Sequence, residues 1–196
     1  MLIHNYEDGL VTERLYTRFL SFDDIEPWSK FFEDKEAIEY FPWVANVSDE
    51  ERSKDWIEKQ ILHYKEQRGG LQALINKNTH EFIGQCGFLL QEIDGKKEVE
   101  VGYHILKKYW GQGYAPEAAK AFFDYGFNVQ KTSSIISIID IKNTKSQRVA
   151  EKNGLVRGKQ VRWNEMEVFI YRIEKPLNDI NTRRISVTIE ILHSLG

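Results

Sequence analysis

The chain has 196 residues, of which 41% are hydrophobic and 29% charged, and its formal net charge is −3. This composition predicts one folded domain and excludes a disordered chain. The small negative charge and a pI of about 6.0 argue against a nucleic-acid partner, because phosphate binding needs an excess of Lys and Arg. A single cysteine, Cys86, excludes an internal disulfide. Since the sequence shows no signal-like segment and no apolar run of about 18 residues, we expect a cytoplasmic protein without a membrane partner.

Hydrophobic patterns predict both strands and helices along the chain. In order, these are a strand at 11–19, helices that begin after Ser21 and Ser48, strands at 71–77, 82–92 and 97–106, a helix from Ala115, a strand at 134–140, a helix at 144–153 and a strand at 165–173. This order predicts an α/β (α+β) fold with a single mixed sheet and helices on its faces. We place one domain at 1–178 and a C-terminal extension, to which we assign no role, at 179–196.

The turn from Lys108 to Glu117 (KYWGQGYAPE) joins a strand to a helix. Its glycines, Gly111 and Gly113, allow a ligand to approach the backbone, and Pro116 suits a first helical turn. The first N–H groups of a helix lack internal partners and carry partial positive charge, so the turn predicts a pyrophosphate site. Pro116 stands where a Rossmann loop needs its third glycine, and the Gly-Lys-Ser/Thr of a P-loop is missing.

The pattern Lys108-x-x-Gly111-x-Gly113, between an alternating strand and an alanine-rich helix, resembles the acyl-CoA pyrophosphate motif of the GNAT superfamily of N-acetyltransferases. That motif usually begins with glutamine or arginine, and lysine keeps the charge but loses the guanidinium fork. A more specific resemblance, to the branch of ribosomal-protein N-terminal acetyltransferases (the RimJ/RimL type), lies in YWGQGYAPEA, in the stretch from Asn143 to Leu155, in TERL at 12–15 and in EYFPW at 39–43. The resemblance covers about residues 12–175.

The resemblance implies a GNAT fold, whose mostly antiparallel sheet splays between its fourth and fifth strands and holds acetyl-CoA, a co-substrate, in the gap. No metal is implied. The backbone of Ile105 and Leu106 would bind the pantetheine arm, with Asn143 facing the arm from the other side. The pyrophosphate would meet the charge of Lys108 and the backbone N–H groups of Trp110, Gly111, Gln112, Gly113, Tyr114 and Ala115.

Acetyl transfer needs a neutral amine, so a base is expected, because amines have a pKa of roughly 7.7–10.4. Glu100 is the first candidate, since its spacing before the glycine loop is similar to that of the base glutamate in the histone-acetyltransferase branch. We expect it to look out from its strand, where Glu98 and His104 share its face and are reserves. Ala150 replaces the tyrosine that many relatives use to protonate the leaving thiolate, and Ser146 is expected to serve instead.

In relatives, the loop between the first two helices lines the acceptor pocket, so Tyr40, Phe41 and Trp43 are candidates there, whereas Trp28 is expected in the core. The acceptor is either a protein N-terminus or a small-molecule amine, and the chain is either a monomer or a homodimer. Two alternatives stay open. One is a GNAT-fold module that senses acyl-CoA without turnover, and the other is a protein that binds a different diphosphate on the same loop.

Overall fold

The computed structural model describes residues 3–41 and 47–176, so Trp43 and the C-terminal extension lie outside the described residues. The described chain forms four helices and seven strands in one sheet. The helices are α1 (Ile25–Phe32), α2 (Asp49–Lys65), α3 (Tyr114–Asn128) and α4 (Thr144–Lys152). The strands are β1 (Leu15–Phe19), β2 (Gly69–Asn76), β3 (Phe82–Ile93), β4 (Lys96–Ile105), β5 (Ser134–Asp140), β6 (Val156–Trp163) and β7 (Met166–Glu174).

The strands lie in the order β1-β2-β3-β4-β5-β7-β6, and every neighbouring pair is antiparallel except β4 and β5, which are parallel. This confirms the single mixed, mostly antiparallel sheet. No helix in the described ranges is both long and apolar enough to cross a lipid bilayer.

Successive residues of a strand point to opposite faces of the sheet, which explains why each face has its own core. On β2, Leu74 packs into the core formed with α3, whereas its neighbours Ala73 and Ile75 pack into the core formed with α1 and α2. Strand β4 follows the same rule, because Val101 faces α3 and Glu100 faces the other side. Helices therefore cover both faces of the sheet around β4.

One strand was missing from the sequence prediction. β6 pairs with β7 through a hairpin turn at Asn164 and Glu165, which have φ values of 43° and 66°. Its sequence, VRGKQVRW, is mostly exposed, and charged or polar residues replace the apolar alternation that identifies a half-buried strand. The prediction of six strands was therefore wrong, because β6 lies at the edge of the sheet and buries too little apolar surface to give a signal.

The border between β4 and β5 confirms the splay that the resemblance implies. The described strands share one register pair, Glu100 with Ile136. Just beyond it, the Ser137 hydroxyl donates to the Val101 carbonyl over 2.9 Å. Past that bond the described part of β5 makes no ladder contact with β4, so a gap opens between the second half of β4 and the end of β5.

Candidate active site

The glycine loop, residues 107–113, connects β4 to α3 at the mouth of this gap. A short 3₁₀ turn at Lys107–Tyr109 comes first, and Gly111 and Gly113 then adopt φ values of 74° and 83°, which glycine tolerates best. In the described structure, no group accepts a hydrogen bond from the consecutive backbone N–H groups of residues 111–115. These free donors precede and begin a 15-residue helix, whose dipole adds positive potential. The loop can therefore bind an anion.

The backbone N–H of Trp110 does not point to the pyrophosphate site as the sequence predicted. Its backbone N–H donates to the Lys107 carbonyl over 3.0 Å, so it is not free for a phosphate. Its indole Nε1 instead donates to the Ile105 carbonyl over 2.7 Å. Trp110 therefore ties the loop to the end of β4, and the run of free N–H groups begins at Gly111.

Arg14, which sequence reasoning missed, braces the glycine loop from the residue before β1. Its Nη2 lies 2.6 Å from the Glu117 carboxylate on α3, and its Nη1 donates to the Gln112 carbonyl over 2.8 Å. The guanidinium also lies 4.3 Å from the ring centre of Tyr114. The loop and the first turn of α3 are thus fixed to the start of the sheet. No local pattern signals this contact, because Arg14 and Glu117 are 103 residues apart.

The other polar side chains of the loop support its shape. Lys108 pairs with Glu81 over 3.2 Å, and Gln112 donates from Nε2 to the Lys108 carbonyl over 3.0 Å. The Tyr114 hydroxyl accepts a hydrogen bond from Asn76 over 3.1 Å. At Gln112 and Tyr114, the backbone N–H is therefore the group that remains available to a ligand.

The main chain at the end of β4 corrects the prediction for Leu106. Its N–H donates to the Ile83 carbonyl, and its carbonyl accepts from the Tyr109 N–H, each over 2.9 Å. The N–H therefore points to β3, away from the gap, and the carbonyl closes the turn to Tyr109. Because paired and unpaired residues alternate along an antiparallel strand, Ile105 and Tyr103 turn their main chain towards β5 instead. Tyr103 was missed, although its two-residue spacing from Ile105 could have indicated it.

Two cavities adjoin at the gap. Cavity 1, of about 170 Å³, contains the Glu100 carboxyl, and cavity 2, of about 200 Å³, extends to Trp110 and Ala115 beside the glycine loop. Their shared lining residues are Ala37, Tyr40, Tyr103, His104, Asn143 and Ser146. A molecule bound near the glycine loop can therefore reach the space that Glu100 lines.

Glu100 lies on the predicted face of β4 but does not look out into solvent. Only 7% of the residue is exposed, and its carboxylate accepts hydrogen bonds from the Gln91 side chain over 2.7 Å and from the Ile138 N–H over 3.3 Å. Burial raises the pKa of Glu100 to about 7, because removal from water disfavours the charged form. The carboxyl can therefore gain or lose a proton near neutral pH.

The two reserve bases have different surroundings. Glu98 forms an ion pair with Arg172 over 2.6 Å and lines neither cavity. His104 lines both, but burial lowers its pKa to about 4, which makes it a weak, neutral base at pH 7. Its ring centre lies 5.2–6.1 Å from those of Trp28, Phe31, Phe41 and Trp56. Of the three acidic or basic groups, Glu100 has the environment that best suits a base.

Ser146 lies in the first turn of α4, opposite β4. The Asn143 side chain caps this helix by accepting from the Ser146 N–H over 3.0 Å, and the Tyr103 hydroxyl donates to the Ser146 carbonyl over 3.0 Å. The Ser146 side chain also interacts with Tyr103, and Ser146 borders both cavities. Ala150, one turn later, is buried in the core.

The aromatic residues considered for the acceptor pocket lie in two different places. Trp28 is fully buried in the core, whereas Tyr40 and Phe41 line cavity 1. Trp163, at the end of β6, and Met166, at the start of β7, line it as well. Both were missed, Trp163 because β6 was not predicted. The described residues contain no group of three His, Cys, Asp or Glu side chains suited to a metal ion.

Comparison with known proteins agrees with this fold and gap. The family model of the acetyltransferase (GNAT) domain matches residues 14–156. The protein YkkB of Bacillus subtilis (strain 168) is 34% identical over 163 residues, which cover 82% of this chain and 93% of YkkB. The crystal structure of an acetyltransferase (GNAT family) from Bacillus anthracis matches with a TM-score of 0.69 at 27% identity, over 85% of this chain and 98% of that one. The chain belongs to the GNAT acetyltransferase family.

The assignment to a branch of the family stays a prediction. RimL, a ribosomal L7/L12 alpha-N-protein acetyltransferase solved in complex with coenzyme A, matches with a TM-score of 0.69 over 86% of this chain and 98% of that one. Its identity is 17%, so the match shows the fold alone. GNAT enzymes use acetyl-CoA and act on an amine acceptor, and this general reaction describes the family to which the chain belongs.

Proposed function

We propose that this chain is an acetyl-CoA-dependent N-acetyltransferase that moves an acetyl group directly to a primary amine, on a protein N-terminus or a small molecule, in a ternary complex. The observation that carries the proposal is the junction of the two cavities at the gap. Cavity 2 extends to Ala115, the last of the residues with free N–H groups, and cavity 1 holds the buried Glu100 carboxyl. Two substrates bound on either side of this junction would meet beside β4.

The glycine loop fits the pyrophosphate of acetyl-CoA, because free N–H groups at a helix start favour adjacent negative charges. We assign the pantetheine arm to the main chain of Tyr103 and Ile105. The Ile105 carbonyl already accepts from Trp110, but its second lone pair remains. Lys108 would add positive charge at the outer side of the loop, and Asn143 would face the arm from α4. The complex of RimL with coenzyme A supports this use of the fold.

Bound acetyl-CoA supplies the thioester whose carbonyl carbon the amine attacks. We assign to Glu100 the removal of the amine proton, directly or through a water molecule. With a pKa of about 7, a large fraction of this carboxyl is ionised at neutral pH and ready to take the proton. Such a base contributes about 10²–10⁴-fold to the rate, and correct positioning of the substrates contributes roughly 7–11 kcal/mol.

We assign to Ser146 the stabilisation of the departing thiolate. Ser146 borders both cavities, and it lies at the start of α4, where the helix dipole favours negative charge. Tyr103 and Asn143 hold the backbone of Ser146 from two sides, so the hydroxyl is well placed to donate. Together, a buried base and a hydroxyl at one junction favour turnover over an acyl-CoA sensor.

Binding and turnover can be tested in sequence. We expect acetyl-CoA and CoA, but not ATP or NAD, to stabilise the protein against heat, by about 2.7 kcal/mol at 100 times the dissociation constant. Thiol release from acetyl-CoA should then depend on an added primary amine. Stabilisation by ATP or NAD instead would favour a different diphosphate ligand, and CoA binding without amine-dependent release would favour a sensor.

A further inference from the structure

The walls of cavity 1 indicate what part of an acceptor it can hold. Most of the surface is apolar and comes from separate parts of the fold, namely Tyr40, Phe41, Trp56, Leu89, Trp163 and Met166. Such walls stabilise an apolar body, and they cannot replace the hydrogen bonds that water makes with peptide groups. The polar side chains Gln91 and Ser137 in the lining already hydrogen-bond to Glu100 and to the Val101 carbonyl, so they offer an extended peptide few partners for its N–H and C=O groups.

The charges that line cavity 1 have one sign. Glu100 and Asp140 are its acidic residues, and no Lys or Arg of the described chain lines it. His104, also in the wall, is neutral at pH 7 because burial lowers its pKa to about 4. A carboxylate on the acceptor would therefore have no cationic partner and would be repelled by Glu100. An ammonium group can pair with Glu100 and can lie against aromatic faces.

The size of cavity 1 suits a small apolar body. Its volume is about 170 Å³, and an apolar protein cavity of about 150 Å³ accommodates benzene. Part of this space exists because Gly102, between Glu100 and His104 on the same face of β4, has no side chain. A Cβ atom at Gly102 would lie 3.5 Å from side-chain atoms of Leu71 and Leu89, which is ordinary contact. A Cβ atom is therefore tolerated by the fold, and the rest of a larger side chain would take up space in the cavity.

We propose that the acceptor is a primary amine on a compact apolar body, about one aromatic ring in size, that carries no carboxylate: an arylalkylamine of the 2-phenylethylamine kind. This inference rests on the proposed function. The ring would lie among the apolar walls, and the amino group would lie between Glu100 and the junction with cavity 2. In a polyamine, Asp140 could pair with one further ammonium group, but any other would lie against apolar walls, which is costly.

A panel of acceptors tests the substrate class. Thiol release from saturating acetyl-CoA is measured with 2-phenylethylamine, phenylalanine, spermidine and a short peptide with a free N-terminus, on the full chain. We expect kcat/KM for 2-phenylethylamine to exceed each of the others at least tenfold. Phenylalanine is the sharpest comparison, because it differs from 2-phenylethylamine only by the carboxylate.

Two variants test whether cavity 1 is the binding site. Gly102→Val should raise the KM for 2-phenylethylamine at least tenfold and keep the thermal stabilisation by CoA. Trp163→Ala should also raise this KM, whereas Arg162→Ala, on the same hairpin but outside cavity 1, should not. Gly102→Val adds bulk to the cavity, and Trp163→Ala removes it. If either variant raised the KM because it misfolds, it would also lose the binding of CoA.

The outcomes separate this inference from the proposed function. Turnover that prefers spermidine, the peptide or phenylalanine overturns the arylalkylamine assignment and leaves the acetyltransferase intact. An unchanged KM for 2-phenylethylamine in both Gly102→Val and Trp163→Ala overturns cavity 1 as its site. CoA binding without thiol release for any amine overturns both proposals.

Discussion

Glu100→Gln removes the titration of the buried carboxyl while it keeps the size of the side chain. The folded state holds the proton of Glu100 more tightly than the unfolded state, since the pKa is about 7 in the fold and 4.5 in a free side chain. Its stabilising contribution is therefore fully present below pH 4.5 and is lost as the pH rises through 7. At 1.36 kcal/mol for each tenfold change in proton affinity, the loss amounts to about 3 kcal/mol.

The glutamine has no such pH dependence. Its single carbonyl oxygen can serve one of the two donors, Gln91 and the Ile138 N–H, so a constant cost of roughly 1–3 kcal/mol is expected at every pH. Relative to wild type, the variant should therefore gain about 3 kcal/mol between pH 4.5 and pH 8.5. Urea unfolding across this range measures the difference, and Glu92→Gln, an exposed carboxylate on β3, controls for the loss of a surface charge.

The same variant has a kinetic signature. Wild-type kcat/KM should rise with pH through an inflection near pH 7, and Glu100→Gln should abolish this inflection and lower the rate above pH 7 by about 10²–10⁴-fold. Below pH 6 the wild-type carboxyl is protonated, so the two proteins should differ less. A stability difference that stays constant with pH, together with an unchanged pH–rate profile, would refute both the raised pKa and the role as base.

Three further changes address the cofactor side of the gap. Gly113→Trp should abolish stabilisation by CoA, because a bulky side chain at a φ of 83° strains the loop and blocks its N–H groups; calorimetry that still detects CoA would contradict this. Arg14→Met should weaken CoA binding roughly tenfold, or about 1.4 kcal/mol, because the loop loses its brace, and an unchanged dissociation constant would show that the brace is dispensable. Ser146→Ala should lower kcat roughly 10–100-fold at an unchanged CoA affinity, since one hydrogen bond to a developing thiolate is lost; a normal kcat would exclude Ser146 from this role.

The sequence predicted those elements that bury a regular apolar face. β4 and α3 have such faces, and the turn between them combines glycines with a helix start, so the glycine loop was found at its observed place. β6 was not predicted, because an edge strand with exposed, charged side chains has no apolar period. Trp163, which β6 brings to cavity 1, was missed with it, whereas Met166 lies on the predicted strand β7 and only its contact with the cavity was missed.

Other features depend on contacts between distant residues and leave no local signal. The Arg14–Glu117 pair is one case. Leu106 is another, because its main chain is used by Ile83 and Tyr109, and the register of β3 against β4 decides which residues face the gap. The burial of Glu100 likewise results from Gln91 and β5 closing over it, whereas the sequence predicted only the face of the strand on which it lies.

The central claim is that the backbone of the glycine loop binds the pyrophosphate of acetyl-CoA. A crystal structure of the complex with CoA tests it most directly. We predict pyrophosphate oxygens about 2.7–3.2 Å from backbone nitrogens between Gly111 and Ala115, with the pantetheine arm passing through the gap beside Tyr103. A complex in which the pyrophosphate lies away from these nitrogens, or in which the arm runs outside the gap between β4 and β5, would contradict the account.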